Sequence, residues 1–239
     1  MSENQMIFSR NHHAKTPRCQ ELEQGLIQLG LENIEGVLPL LVRYVEEIEL
    51  FNPAYGLVKV RDRRELEVRH VLDSLAPINI IRRLLNEKQK KLHMADVGSG
   101  AGLPGIPLAV CMSDVEFTLI ERMGRRAGFL RNAAAVLALG NVEVLEAEME
   151  KLTANMRFDA IVFRAFKPFE PLLLKGLFAL LAPGGIIAAY KGRRLTIDEE
   201  MNRLPEALLA GTKWECFPVE VPFLEEERHL VAIITQADG

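Results

Sequence analysis

Glycine is concentrated in one short stretch of this chain, which reads MADVGSGAGLPGIPL over residues 94–108. The glycines are Gly98, Gly100, Gly102 and Gly105. Glycine loses much backbone entropy on folding, but it accepts left-handed conformations and lets a ligand approach the backbone closely. Because the stretch lies between an apolar run and a helix-like run, we interpret it as a turn after a strand that cradles a small anionic or zwitterionic ligand. A tight turn that serves packing alone is the alternative.

Two carboxyl groups accompany the glycines. Asp96 lies at the end of the predicted strand before the loop, where it can meet an ammonium group or orient the loop. Glu121 ends the next predicted strand, where a carboxylate can accept both ribose hydroxyls of an adenosine cofactor. Gly100, Gly102 and Gly105 also match G-x-G-x-x-G, the dinucleotide fingerprint, so an NAD(P)-dependent oxidoreductase stays open at this point.

The pattern that begins with Asp96 resembles the S-adenosylmethionine loop of class I methyltransferases. A longer segment, DVGSGAGLPGIPLA, resembles the signature of the RsmG (GidB) family, bacterial methyltransferases that act on small-subunit ribosomal RNA. Further segments agree with that family in the same order along the chain. They are VRHVLDSL at 68–75, FTLIERMGRRAGFLR at 117–131, FDAIVFRAF at 158–166, AAYKGR at 188–193 and ERHLVAI at 227–233. The resemblance runs from about residue 37 to the C-terminus.

The resemblance implies that the chain transfers a methyl group from S-adenosyl-L-methionine to N7 of a guanosine in 16S rRNA. It implies that the backbone of Gly98 and Leu103 meets the cofactor and that Arg164 contacts it. It also implies that Met149 and Glu150 border the adenine. The predicted cofactor site is therefore Asp96, Gly98, Gly100, Gly102, Leu103, Glu121, Met149, Glu150 and Arg164.

Guanine N7 carries a lone pair and no proton, so its methylation requires no general base. Alignment and water exclusion are then the main requirements of the site. The sequence has no Asp/Asn-Pro-Pro-Tyr/Phe motif after the fourth predicted strand, which disfavours adenine N6 as the acceptor. It has no Pro-Cys there either, which disfavours cytosine C5 chemistry. We therefore assign no catalytic residue as a required base.

Basic residues are clustered, although the net charge of the chain is −4. Residues 59–91 contain ten Lys or Arg against five Asp or Glu, and residues 122–131 contain four Arg and no acid. A local basic face of this kind is suggestive of an RNA partner. The RNA-binding candidates are Arg69, His70, Arg125, Arg126 and Lys191.

These candidates also have ordinary interpretations. A charge run on a helix is commonly a solvated face, and Arg69 and Asp73 have the spacing of a helical salt bridge. His229, in the matched segment ERHLVAI, is either part of the site or a hydrogen-bonded structural histidine.

The chain departs from the family pattern at several positions. It has Gly56-Leu57-Val58 where the family has Asn-Leu-Thr, and Arg122 where Ser is usual after the acid of the second strand. Glu148 replaces an Arg, and Phe163 replaces a Ser. These changes leave open a non-catalytic, cofactor-binding module that docks on the ribosome.

The predicted elements alternate between short apolar runs and helix-length segments from about residue 92. We predict strands at 92–97, 115–120, 142–146, 158–163, 186–190, 214–219 and 229–235. We predict helices at 105–112, 125–139, 169–181 and 198–209, the third of them stopped by Pro183-Gly184-Gly185. The fold class is α/β, a Rossmann-like class I methyltransferase sheet that is mostly parallel with an antiparallel edge strand.

N-terminal helices precede this sheet in our prediction. One amphipathic helix includes 37–48 and ends at Asn52-Pro53, and a second helical segment over 62–86 is broken at Pro77. We divide the chain into a flexible tail at 1–18, an N-terminal helical region at 19–91 and a methyltransferase domain that binds S-adenosylmethionine at 92–239.

Composition predicts a soluble, cytoplasmic protein. The N-terminus lacks the apolar stretch of a signal peptide, and no run is long enough for a membrane helix. Cys19, Cys111 and Cys216 lie far apart, without the spacing of a zinc site. We expect 16S rRNA or the small ribosomal subunit as partner, and neither membrane nor metal.

Overall fold

The computed structural model describes residues 20–85, 91–152, 156–164 and 168–236. Its centre is a seven-stranded sheet of order β3-β2-β1-β4-β5-β7-β6. The strands are β1 His93–Val97, β2 Glu116–Glu121, β3 Val142–Glu146, β4 Phe158–Arg164, β5 Leu181–Lys191, β6 Thr212–Pro218 and β7 His229–Thr235. The predicted tail at 1–18 and Cys19 lie outside the described residues.

The first five strands are parallel, whereas β7 runs antiparallel to both β5 and β6. The predicted mostly parallel sheet with an antiparallel pair at one edge is confirmed, with β6 as the edge strand and β7 next to it. Strands β2 and β3 lie on one side of β1, and β4 and β5 lie on its other side, so the strand order switches between β1 and β4. Ligands of open α/β sheets bind outside the carboxyl ends of the strands at such a switch point.

Each face of the sheet is covered by helices, which explains why almost every residue of β1 and β4 is buried. Side chains alternate along β1, so that Met94 belongs to one core cluster and Ala95 to the other. The first cluster includes Phe117, together with residues of the N-terminal helices. The second contains Phe163, and helices near the C-terminal half of the chain cover it.

The N-terminal helices pack on the sheet as part of that first cluster. They are α1 Gln20–Gln28, α2 Ile34–Tyr55, α3 Arg63–Leu66, a π-helical segment Glu67–Leu72, α4 Asp73–Leu75 and α5 Ile78–Leu85. The apolar face of α2 buries Leu41, Tyr44 and Ile48. The interruption predicted at Pro77 is confirmed, since α5 begins one residue later.

The predicted end of α2 at Asn52-Pro53 is wrong, because α2 continues to Tyr55 with Pro53 in its last turn. Proline near a helix end removes one N–H without breaking the turns before it. The helix ends instead at Gly56, whose φ of 59° is left-handed and whose N–H donates to the Asn52 carbonyl.

The remaining helices connect the strands. They are α6 Gly105–Cys111, α7 Gly124–Val136, a 3₁₀ turn Met149–Lys151, α8 Pro171–Leu180, α9 Arg194–Asn202 and α10 Glu206–Leu209. The single helix predicted at 198–209 is wrong, because Pro205 separates α9 from α10.

The predicted start of β5 at 186 is also wrong, since β5 begins at Leu181 and includes Pro183, Gly184 and Gly185. An irregularity in the pairing with β4 accommodates this segment between Phe158 and Ala160. Gly184 has a φ of 70° there, and its N–H donates to the Gln236 carbonyl. Among the described residues, no helix combines the length and apolarity needed to cross a bilayer.

Candidate functional site

The glycine loop follows β1 and contains three left-handed residues, with φ of 71° at Gly98, 60° at Gly100 and 92° at Gly102. A Cβ on Gly105 would lie 2.4 Å from Leu119 Cδ2, so this glycine is required for close packing. A Cβ on Gly100 would meet no atom closer than the Gly98 carbonyl oxygen at 3.8 Å. The loop therefore combines tight packing on one side with open space on the other.

Asp96 is fully buried beneath the loop. Its Oδ2 accepts hydrogen bonds from Ser99 Oγ at 2.6 Å and from the Gly105 N–H at 3.0 Å. Burial raises the pKa of this carboxyl group to about 6, and these two hydrogen bonds oppose the rise. Asp96 thus orients the loop, while its Oδ1 has no hydrogen-bond partner among the described residues.

Glu121 holds the same loop from the end of β2. Its Oε2 accepts from the Gly100 N–H at 2.9 Å, and its Oε1 accepts from the Met123 N–H at 2.8 Å. A carboxylate oxygen has a second lone pair, so these contacts are compatible with the predicted ribose contacts. The ribose contacts themselves stay a prediction.

Most N–H groups of the loop donate within the protein. Those of Gly98 and Ser99 donate to the Ile120 carbonyl, and those of Gly102 and Leu103 donate to the Ser99 carbonyl. A pyrophosphate needs free N–H donors at this turn, whereas an ammonium group needs acceptors. The loop therefore fits the aminoacyl end of S-adenosylmethionine better than it fits a dinucleotide.

Tyr44, which was not predicted as a site residue, supports the loop from α2. Its hydroxyl donates to the Ala101 carbonyl at 2.7 Å, and burial raises its pKa well above the ordinary tyrosine value. The hydroxyl therefore stays protonated and able to donate. The available signal in the sequence was a tyrosine among the apolar residues of the buried face of α2.

A cavity of about 690 Å³ opens beyond the carboxyl ends of β4 and β5. Its wall includes His70, Asp73, Arg164, Lys191, Arg228 and His229. The structure thus brings together residues from the N-terminal helices, β4, β5 and β7 that are far apart in the sequence.

Arg164 is anchored on the side of this cavity that faces the N-terminal helices. Its Nη1 donates to the Arg69 carbonyl at 2.9 Å and to Asp73 Oδ2 at 2.8 Å. Its Nη2 lies 2.9 Å from His70 Nδ1. Because a guanidinium group only donates, Nδ1 is the acceptor of this bond. Arg164 is therefore held in a defined orientation, while its predicted contact with the cofactor stays a prediction.

The environment of His70 keeps its imidazole neutral. Burial and the adjacent positive charge of Arg164 lower its pKa to about 4, against opposing contributions from Glu65 and the Lys59 backbone. At neutral pH His70 therefore acts as a hydrogen-bond acceptor towards Arg164.

Two of the predicted RNA-binding residues, Arg69 and Lys191, are engaged in ion pairs. Arg69 pairs with Glu226 and with Glu65. The Arg69–Asp73 salt bridge that helical spacing allowed is replaced by these contacts, because Asp73 pairs with Arg164 and Arg228.

Lys191 pairs with Glu200, at 2.6 Å between Nζ and Oε2. Its ammonium group also lies 4.1 Å from the centre of the Phe169 ring, within cation–π range. Lys191 lines the cavity, so RNA contact stays a prediction for this residue.

Arg125 and Arg126 lie in the first turn of α7, at the same edge of the sheet as the glycine loop. Arg125 is exposed and Arg126 is half-buried. Met149 is buried and Glu150 is exposed in the 3₁₀ turn after β3. Their predicted contacts, with RNA and with adenine respectively, stay predictions.

The departures from the family pattern have local explanations. Gly56 provides the left-handed end of α2, a position that asparagine also accepts. Phe163 is buried with its ring edge-to-face to Phe169 at 6.2 Å. Glu148 pairs with Lys151, and Arg122 is exposed.

His229 is buried on the cavity wall, and its Nδ1 lies 2.7 Å from the Gly192 carbonyl oxygen. Because a carbonyl only accepts, Nδ1 carries the proton. Among the described residues, no group of three or more His, Cys, Asp or Glu is arranged to hold a metal ion.

Comparison with known proteins matches residues 37–231 to the family model described as rRNA small subunit methyltransferase G. Curated proteins named Ribosomal RNA small subunit methyltransferase G are similar over most of the chain. One from Treponema pallidum is 43% identical over 82% of this chain and 84% of its own. One from Stenotrophomonas maltophilia is 37% identical over 89% of this chain and 92% of its own.

Solved structures of methyltransferases share the fold at low sequence identity. Magnesium protoporphyrin IX methyltransferase from Synechocystis PCC 6803, solved with bound SAM, is 12% identical with a TM-score of 0.55, and the match covers 81% of this chain and 97% of that one. A SAM-dependent O-methyltransferase from Thermotoga maritima is 13% identical with a TM-score of 0.51, over 82% of this chain and 72% of that one. These similarities concern the fold alone.

Proposed function

This chain belongs to the rRNA small subunit methyltransferase G family, and from that premise we propose that it transfers a methyl group from S-adenosyl-L-methionine to N7 of a guanosine in 16S rRNA. The observation that carries the proposal is the glycine loop at the β1/β4 switch point. Asp96 and Glu121 hold that loop in place, and its N–H groups are directed mainly into the protein. The proposed partner is 16S rRNA or the small ribosomal subunit, in the cytoplasm.

Residues of this chain fit the cofactor in three respects. Left-handed glycines remove side chains from one side of the loop, Asp96 beneath it has one oxygen without a hydrogen-bond partner among the described residues, and Glu121 ends the neighbouring strand. When bound, the cofactor supplies an electrophilic methyl group on a sulfonium sulfur. Asp96 and Glu121 contribute by holding the loop in one conformation before the ligand arrives, which lowers the entropy cost of alignment.

The cavity next to Arg164 is the proposed acceptor site. Arg228 and Lys191 contribute positive charge to its wall, which suits the phosphates of an RNA strand. Among the described wall residues, Asp73 is paired with two guanidinium groups and neutral His70 accepts from Arg164. This environment suits an acceptor atom with its own lone pair, such as guanine N7, because such an atom has no proton to lose.

The oxidoreductase alternative is not favoured by the site. Its cofactor would place a pyrophosphate at this turn, where the N–H groups of Gly98, Ser99, Gly102 and Leu103 are already used.

Mapping of 7-methylguanosine in 16S rRNA tests the proposal. RNA from a strain that lacks the gene should lose one modified guanosine, and the wild-type gene should restore it. A gene in which Arg164→Ala has been introduced should restore it poorly. Calorimetry on the purified protein should detect binding of S-adenosylmethionine and none of NADPH. An unchanged 7-methylguanosine pattern in the deletion strain would contradict the proposed acceptor.

A further inference from the structure

We propose that Asp73 is a positioning residue that fixes two guanidinium groups over the cavity, those of Arg164 and Arg228. This proposal rests on the function proposed above. Arg164 ends β4 and Arg228 lies just before β7, whereas Asp73 begins α4 in the N-terminal helices. One carboxylate therefore ties the N-terminal region to two strands on opposite sides of β5.

The two oxygens of Asp73 serve different partners. Oδ2 accepts from Arg164 Nη1 at 2.8 Å, and Oδ1 accepts from Arg228 Nε at 3.1 Å. The side chain of Asp73 is only 8% exposed, against 14% for Arg164 and 25% for Arg228. Asp73 is therefore the most buried of the three side chains, although all three line the cavity.

A buried carboxylate is costly unless its charge is compensated, so Asp73 strongly favours keeping both partners in place. Charge-assisted hydrogen bonds of this kind are short and directional. Each arginine also donates to a backbone carbonyl, Arg164 to that of Arg69 and Arg228 to that of Glu227. One negative charge against two positive charges leaves a net positive site for anionic groups.

The helical turn that carries Asp73 is itself fixed. The Ser74 hydroxyl donates to the His70 carbonyl at 2.6 Å, and the buried Tyr190 hydroxyl donates to the Ser74 carbonyl at 2.8 Å. Tyr190 lies on β5 beside Lys191. The position of Asp73 is thus fixed by a contact with the sheet rather than with a loop.

The two arginines have different roles in this arrangement. Arg164 lies at the end of β4, next to the switch point, and serves the cofactor. Arg228 lies on the cavity wall with Lys191 and His229, and we assign to it a phosphate of the acceptor RNA. Asp73 thereby positions one group for each of the two substrates.

The arginine side chains can be observed directly in the protein without ligands. Guanidinium N–H groups held in hydrogen bonds, here those of Arg164 Nη1 and Arg228 Nε, give distinct, slowly exchanging NMR signals. We expect the signals of Arg164 and Arg228 to shift and lose protection in Asp73→Asn, which keeps the volume but removes the charge. Asp114→Asn, which breaks the exposed Arg82–Asp114 pair, is the matched control and should leave both signals unchanged. Unchanged signals in folded Asp73→Asn would overturn the proposal.

Binding measurements test the division of roles. Hydrogen bonds to charged groups correspond to roughly a tenfold or greater change in affinity when they are lost. We therefore expect Asp73→Asn to weaken binding of both S-adenosylmethionine and unmodified small ribosomal subunits about tenfold or more. Arg228→Gln should weaken subunit binding alone and reduce its salt slope, and Asp114→Asn should affect neither.

Arg228→Gln keeps the test decisive if Asp73→Asn does not fold, because subunit binding at the wild-type affinity in this variant would overturn the proposal. Failure of the proposed function would look different. In that case the wild-type protein itself would not bind S-adenosylmethionine or the ribosomal subunit, whatever the state of Asp73.

Discussion

At the scale of single residues, Asp96 is unusual because its ionisable carboxyl group is fully buried. Its two described hydrogen bonds, from Ser99 and Gly105, favour the ionised form, but burial outweighs them and raises the pKa to about 6. The sequence predicted that an acid at this strand end orients the loop or meets an ammonium group. The structure shows the orienting contacts.

Asp96 predicts a pH-dependent stability. A folded-state pKa above the unfolded value means that the folded protein binds the proton more tightly, so stability is present below about pH 4 and is lost as pH rises through about 6. A difference of about two pKa units corresponds to roughly 3 kcal/mol in the free energy of unfolding. Asp96→Asn should remove this loss when urea unfolding is measured between pH 4 and pH 7.

Asp114→Asn is the control for this measurement. Arg82 lowers the pKa of Asp114. The stability that ionised Asp114 contributes is therefore present at neutral pH and is lost as the pH falls, which is the opposite of the Asp96 effect. It should leave the stability loss between pH 4 and 6 in place. An identical pH dependence in wild type and Asp96→Asn would show that this carboxyl group is not the source.

His70 makes a prediction about the reaction rate. Its pKa of about 4 lies below the unperturbed histidine value, so it is already deprotonated above about pH 5 and does not titrate between pH 6 and 9. The single-turnover rate of methylation should therefore be nearly flat in that range, as expected for an acceptor that needs no base. His70→Gln and His229→Gln should change the affinity for RNA without changing the shape of the profile.

A single-turnover rate that rises tenfold per pH unit in the wild type, and loses this rise in either histidine variant, would contradict the no-base mechanism. Such a result would indicate an acceptor atom that has to lose a proton before it attacks the methyl group.

At the scale of elements, the glycine loop and the strands on either side of it work as one unit. Asp96 comes from β1 and Glu121 from β2, and both carboxyl groups accept hydrogen bonds from N–H groups of the loop. The Tyr44 hydroxyl adds a contact from α2. The loop conformation is therefore set by three elements at once, which is what a pre-organised binding site requires.

Gly98→Val should abolish binding of S-adenosylmethionine, measured by calorimetry. Gly98 has a φ of 71°, where a branched side chain is strained, and the added atoms would block approach to the backbone. Gly211→Val is a matched control, because Gly211 has a similar φ of 76° but a Cβ there would meet no atom within 4 Å. Comparable binding in folded Gly98→Val and wild type would exclude the loop as the cofactor cradle.

At the scale of the whole molecule, an acidic protein presents its positive charge locally. Arg125 and Arg126 begin α7 near the glycine loop, while Arg69 and Lys191 on the other side are paired with Glu226 and Glu200. Arg125 and Arg126 have no carboxylate partner in the part of the chain that the structure describes, so they are the better candidates for phosphate contacts.

Combined replacement of Arg125 and Arg126 by alanine should reduce the salt dependence of RNA binding. Each lost phosphate contact lowers the slope of log K against log salt by about one. Filter binding of 16S rRNA between 50 and 300 mM salt would measure it, over roughly the range in which such contacts are screened. Arg82→Ala, next to Asp114 before β2, is the control and should keep the slope. A double variant with the wild-type slope would identify these arginines as solvated helix charges.

Local features of the sequence were sufficient to predict most of the fold. The period of the apolar residues identified the strands, and Pro77 correctly marked a helix boundary. Errors occurred where a local signal had a second meaning. Pro53 lies in the last turn of α2, and Pro183, Gly184 and Gly185 lie within β5. Pro53 removes only one N–H from the last turn of α2, whereas pairing with β4 continues β5 through the Pro-Gly-Gly segment.

The glycine loop and its two acids were predictable because their interaction is short in sequence and follows from strand ends that meet at one edge. The partners of the charged residues were not predictable. Asp73 pairs with Arg164 and Arg228, which are 91 and 155 residues away, rather than with Arg69 one helical turn before it. The physical reason is burial, since a carboxylate removed from water pairs with the guanidinium groups that are buried beside it. Which guanidinium groups those are is determined only by the packing of the N-terminal helices against β4 and β7.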